Sequence, residues 1–225
     1  VPSAIASYLM GNSPELMLSY TSYIESIVPG MEINASHLFG ARGIVLPSRS
    51  TTHGYNNAFN ADFAGGMWVG GAGWAAHFFY DYYQFTGDRE FLETRAVPLM
   101  KEVALFYEDL LAGTEDKNGK YRFFIGYSPE HRLSANTTFD IGVARAMLNY
   151  LIKSCETLSI ESENIPKWKA MLAKMPPYRI NEAGVLPFDN NCIPSSGLPP
   201  GAPRCSDYRR IPGRLERHDV RRGVH

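Results

Sequence analysis

"GGAGWAAHFFYDYYQFTGDREFLETRAVPLMKEVALFYEDLL", residues 70–111, decides the class of fold. Trp74, Phe78, Tyr82 and Phe85 follow at steps of four, four and three, which is one face of an α-helix. Gly87 predicts the stop, because glycine takes the left-handed conformation that ends helices at little cost. Asp88 predicts the cap of a second helix, with Phe91 and Leu92 as its first apolar contacts. Pro98 interrupts the pattern, so the strong part begins near Val97 and runs through Val103, Phe106, Tyr107 and Leu110. Two helices on a short turn make a helical hairpin.

The same grammar extends in both directions. Upstream, Asn12 or Ser13 is placed to cap a helix with Pro14 in its first turn. Leu16, Tyr20, Tyr23, Ile24 and Ile27 recur at helical spacing until Pro29-Gly30. A second short helix, Glu32 to Phe39, stops at Gly40. Downstream, "GTEDKNGKYRF" reads as a polar turn or hairpin around Asn118-Gly119. Thr138 to Leu158 predicts a long helix burying Ile141, Ala144, Leu148 and Leu151, and Pro166 to Met175 a shorter one. The expected fold is all-α, built from consecutive antiparallel helical hairpins, as in toroids and solenoids. No internal repeat is visible, which disfavours the solenoid.

Between the hairpins lie two long polar segments. Ile44 to Gly66 turns from a short apolar run to Ser, Thr, Asn and Gly. An irregular segment of this length inside a compact domain is usually functional or disordered, and its aromatic residues argue for order. His53, Asn56, Asn57, Asn60 and Asp62 are hydrogen-bonding groups suited to sugar hydroxyls. Trp68 follows two glycines that would let its ring lie against a ligand face. The competing reading is ordinary: asparagines satisfying turn backbone, a histidine on a carbonyl, a core tryptophan. The second segment, "FFIGYSPEHRLSANTTFD" (123–140), carries Glu130 among Phe123, Phe124 and Tyr127. Apolar rings raise a carboxyl pKa, as a general acid requires, whereas contact with His131 or Arg132 would favour the ionised form. A Glu after Pro in a loop is otherwise a surface or capping residue.

Composition narrows the function classes. Hydrophobic residues make up 44% and charged residues 20%, which fits a soluble globular chain. The formal net charge of -1 gives no global field for nucleic acid or anionic lipid. No apolar run is long enough for a membrane span. His53, His77 and His131 show no ligand motif, so neither a metal nor another cofactor is expected. Cys155, Cys192 and Cys205 have no metal spacing, and their odd number argues against a full disulfide framework, although Cys192 and Cys205 could pair.

Three blocks, taken together, resemble glycoside hydrolase family 95, the α-L-fucosidases and their relatives. They are "NASHLFGARGIVLPSRSTTHG", then "GGMWVGGAGWAAHFFYDYYQFTGDREFLETRAVPLMKEVALFYEDLL", then "YSPEHRL" with "ANTTFDIGVARAML". The resemblance covers roughly Met10 to Leu186. It implies a partial (α/α)6 barrel with long active-site loops, an inverting mechanism, and a fucosylated oligosaccharide or polysaccharide as partner. It aligns Glu130 with the family's general acid. The family holds its water with an N-x-N asparagine pair, assisted by an Asp. No N-x-N occurs here, and Asn56-Asn57 are adjacent and do not fill that role. Asp140 is read as a support of the acid loop or a ligand contact, and not as the base.

Such a barrel takes about twelve helices and the pattern supplies about six. The expectation is therefore a fragment carrying the acid but not turning over alone, from a parent that is secreted or periplasmic. The open alternatives are an α-L-galactosidase on the same scaffold and a non-catalytic carbohydrate-binding helical module. Residues 1–186 form the expected catalytic portion, and 187–225 an irregular tail. Seven of the fifteen Arg fall between Arg204 and His225, where there is no Lys. That tail is read as disordered or out of frame rather than as a basic arm for acidic partners.

Overall fold

The computed structural model describes residues 2–57, 64–127, 133–178 and 180. Glu130, Asn60, Asp62, Cys192, Cys205 and the tail lie outside them. Eight helices carry the described residues: α1 Pro2–Met10, α2 Met17–Ser26, α3 Val28–Asn34, α4 Gly71–Thr86, α5 Arg89–Phe91, α6 Val97–Leu111, α7 Thr138–Leu158 and α8 Ile165–Lys174. The strand content described is a two-residue antiparallel ladder, β1 Gly126–Tyr127 with β2 Leu133–Ser134.

The stop and start between α4 and α5 form as local chemistry dictates. Gly87 turns left-handed at φ 71° and returns its N–H to the Tyr83 carbonyl. Asp88 then accepts the Phe91 N–H at 2.9 Å through its side chain. Such a cap satisfies a backbone donor that would otherwise lack a partner at the helix start. Leu92–Ala96 is a π-helical turn leading into α6. Pro98 has no N–H to give to the preceding turn, and the widened turn absorbs that gap. The long helix falls on Thr138–Leu158 as expected, and its four predicted stripe residues are fully buried.

Around these helices the core is continuous. α4 packs on α6 and α7, α6 on α7, and α7 on α8, while α1 and α2 lie against α4. Phe79, Met100, Phe106, Tyr107, Ile141 and Leu148 are among the large side chains sealed inside. Cys155 is buried among them, and burial pushes its thiol up to about 11, which keeps it a neutral packing group.

Three local readings differ from the structure. On α2 the buried stripe is Met17, Thr21 and Ile24, whereas Leu16 and Tyr23 are exposed. Tyr20 and Tyr23, three residues apart, drew the expected stripe to their side of α2, whereas the buried one runs beside it. Pro29-Gly30 does not end a helix but lies in the first turn of α3, where a missing N–H costs nothing. At Asn118-Gly119 a tight turn forms without flanking strands, because the Asp116 carboxylate accepts the N–H groups of Asn118 and Lys120.

Candidate active site

The first polar segment follows α3 after the π-helical turn Ala35–Phe39 and Gly40, and is held from behind by Asn34. That side chain is 4% exposed. Its amide donates to the carbonyls of Val45 at 3.1 Å and Gly54 at 2.8 Å, and its oxygen accepts the Asn56 N–H at 2.9 Å. Ile44 and Val45 anchor the start of the loop in the core. Farther on, Ser50 bridges to Asn56, and the Thr51 hydroxyl accepts the N–H groups of His53 and Tyr55. Gly30 makes room for the turn, since a Cβ there would lie 2.0 Å from the His53 carbonyl oxygen.

This framework sorts the sequence candidates. His53 is exposed, with Nδ1 3.2 Å from the Thr52 hydroxyl. Asn57 is half-buried, its backbone N–H on the Arg49 carbonyl. Asn56 instead fastens the loop to the turn before α4, its side-chain amide donating to the Gly66 carbonyl at 3.1 Å. Trp68 departs furthest from its reading as an open platform. It is 6% exposed, with its ring against Trp74 (5.5 Å, edge-on) and Phe139 (5.8 Å). Its indole N–H donates to Asp140 at 3.1 Å.

The second segment is held at both ends. Phe123 and Asn136 clasp each other: Phe123 N–H donates to the Asn136 side chain at 2.8 Å, and Asn136 N–H to the Phe123 carbonyl. Phe123 is thereby turned into the core against Tyr107. Phe124 is partly exposed with the Arg122 guanidinium over its face at 4.9 Å. Thr137 caps α7, accepting the Asp140 N–H at 3.1 Å and donating its hydroxyl to the Asp140 carboxylate at 2.6 Å. β1 lies against the Ala64–Met67 turn, so the two polar segments meet at one end of the helices. Glu130 is the middle residue of the stretch 128–132 joining β1 to β2, and itself lies outside the described residues.

Beside this end a cavity of about 520 Å³ runs between α4 and α7. Trp74, His77, Phe139, Val143, Tyr150 and Tyr178 are among its lining residues. His77 Nε2 faces Asp81 at 3.5 Å, and burial pushes the Asp81 carboxyl up against the opposing pull of His77. No cluster of His, Cys, Asp and Glu that could hold a metal occurs among the described residues, and no described helix is long and apolar enough to cross a membrane.

A surface ion pair ties the chain just before the first segment to α6. Arg42 donates its backbone N–H and its guanidinium to Asp109 on α6, at 2.8 to 3.3 Å. The Arg42 side chain holds the Asp109 carboxyl below its ordinary range. Because the folded value is depressed, this stabilisation is present above the unfolded carboxylate value and lost as pH falls through the folded one. Asp109→Asn is expected to flatten the fall in stability below about pH 4, read from urea unfolding at several pH values. An unchanged pH dependence would show that the pair is screened by solvent.

A helical assembly whose irregular segments gather at one end of its helices is the architecture of the six-hairpin glycosidases. A match to the model of the glycosyl hydrolase family 95 catalytic domain spans residues 8–187, and the chain belongs to that family. It is 25% identical over 189 residues to Alpha-L-fucosidase 2 of Arabidopsis thaliana, covering 79% of this chain and 22% of that protein. Among solved structures it is similar to "Putative kojibiose phosphorylase from human microbiome", with a TM-score of 0.58 and 14% identity. That match covers 73% of this chain and 24% of the other. A likeness at this identity speaks for the fold alone. The chain spans about a quarter or less of the length of both.

Proposed function

We propose that this chain is part of an inverting glycoside hydrolase that removes terminal α-L-fucose from glycans, with Glu130 as the general acid. The observation that carries the reading is the family match over residues 8–187, which includes the Ser-Pro-Glu block. The Arabidopsis relative's name supports fucose as the sugar. In an inverting reaction one carboxylic acid protonates the leaving oxygen while a base-held water attacks the anomeric carbon from the opposite face. His53 and Asn57 are assigned to sugar hydroxyls, and Asn56 and Trp68 to holding the two loops that face the sugar.

The chain supplies the acid without the spaced asparagine pair that would hold the water, so alone it is expected to be inactive. Hydrolysis of an aryl α-L-fucoside by this chain, beside a protein extended at both ends to the relative's length, is the test. Activity only in the extended protein supports the proposal. Activity in neither, with turnover of an aryl α-L-galactoside, would replace fucose by galactose. Activity in the short chain would show that it carries its own water-activating group.

A further inference from the structure

The Asp140 carboxylate is fully buried at the start of α7, and each oxygen meets a different loop. Oδ1 accepts the Trp68 indole N–H, from the segment before α4, and Oδ2 accepts the Thr137 hydroxyl, from the end of the second polar segment. Two glycines leave the space it occupies. A Cβ on Gly70 would lie 2.7 Å from Oδ1, and a Cβ on Gly126 would lie 2.7 Å from Oδ2. Gly126 opens β1 and Thr137 closes the stem beyond β2. The carboxylate therefore sits where both stems of the stretch carrying Glu130 converge on the Trp68 turn.

Burying a carboxylate is costly unless donors converge on it, so a residue used only to cap α7 has no reason to be sealed in this way. The cap itself needs only Thr137. We propose that Asp140 is a positioning residue. It clamps the stems 123–127 and 133–137 against the Trp68 turn and so fixes where the intervening acid is presented. The catalytic half of this inference rests on the assignment of Glu130, while the structural half does not. Asparagine preserves the size of Asp140 but carries no charge and must turn an N–H toward one of the two described donors, so the charge-assisted hydrogen bonds of the clamp are weakened.

Two measurements on Asp140→Asn test the clamp. In the 225-residue chain, amide hydrogen exchange is expected to quicken at least tenfold across 123–137 while α4 and α6 keep their protection. Unchanged exchange in the loop overturns the proposal, and so does a rise spread evenly over α4, α6 and α7, which would mark Asp140 as an ordinary core group. Should the variant fail to fold, Trp68→Phe removes one contact while leaving the α7 cap intact, and the same local signature is expected.

In the extended enzyme, kcat on a fucoside with a poor leaving group is expected to fall on the order of 10- to 100-fold, the cost of a misplaced catalytic group. KM should stay within about threefold, and a dinitrophenyl fucoside, which needs little acid help, should lose far less. An equal loss on both substrates overturns the role in presenting the acid. If Glu130→Gln spares the poor substrate, the functional reading fails by itself, and the exchange result still decides the clamp.

Discussion

Glu130→Gln, in a protein extended to the length of the curated relative, is expected to lower hydrolysis of an unactivated α-L-fucoside by about 10²- to 10⁴-fold while leaving sugar binding intact. Glutamine matches the shape and hydrogen-bonding reach of glutamic acid but has no proton to give the departing oxygen. The loss should therefore appear in kcat and grow as the leaving group becomes more basic. On a dinitrophenyl fucoside the leaving group departs without protonation and the deficit should shrink. Undiminished turnover of the unactivated substrate would remove Glu130 from the acid's role. The acidity of the loop is the second part of the expectation. Phe123 is turned into the core, and His131 and Arg132 follow Glu130 directly in the chain. Replacing Arg132 by Leu should then raise the pH at which activity falls on the alkaline side, if the guanidinium is what opposes protonation.

Asn34→Ala is expected to cost about 3 kcal/mol of stability, read from urea unfolding of this chain. One side chain meets three backbone groups, the carbonyls of Val45 and Gly54 and the N–H of Asn56, in a site closed to solvent. Alanine leaves all three without that partner, and water has little access to replace it. The loss should be accompanied by faster exchange across 45–57, because those groups are the rear attachment of the loop holding His53 and Asn57. A loss below about 1 kcal/mol would show that the loop is retained by Ile44 and Val45 alone. No sequence feature singled out Asn34. Its position at the end of α3 gives no hint that it reaches 20 residues forward along the chain to Gly54.

How much the sequence revealed depends on how far apart the interacting groups lie. The helix ends at Gly87, Asp88, Gly40 and Thr138 were legible, because a cap or a left-handed turn is settled within a few residues. So was the buried stripe of α7, whose apolar residues occupy one face without competitors. On α2, the pair Tyr20 and Tyr23 drew the expected stripe to their side, and the packing of α2 against α1 and α4 decided the buried one. There Tyr20 packs edge-on to Phe78 at 5.6 Å. The family itself was legible, since the order of three motif blocks is a property of the chain and needs no coordinates.

The duties of the individual polar residues were not legible. An indole next to glycines looks the same in sequence whether it faces a ligand or a buried carboxylate. Only the fold brings Trp68 to Asp140, 72 residues on, and turns it inward. Asparagine is equally ambiguous: Asn56 and Asn57 are adjacent and chemically identical. The tertiary structure gave the first to Gly66 and left the second half-exposed. The sequence by itself determined the helical hairpins, the helix ends at Gly40, Gly87 and Asp88, and the family, because these rest on local backbone preferences and linear order. Only the tertiary structure decided which polar groups fasten the loops and which face outward. A hydrogen-bonding side chain takes its role from partners that folding brings to it from distant parts of the chain.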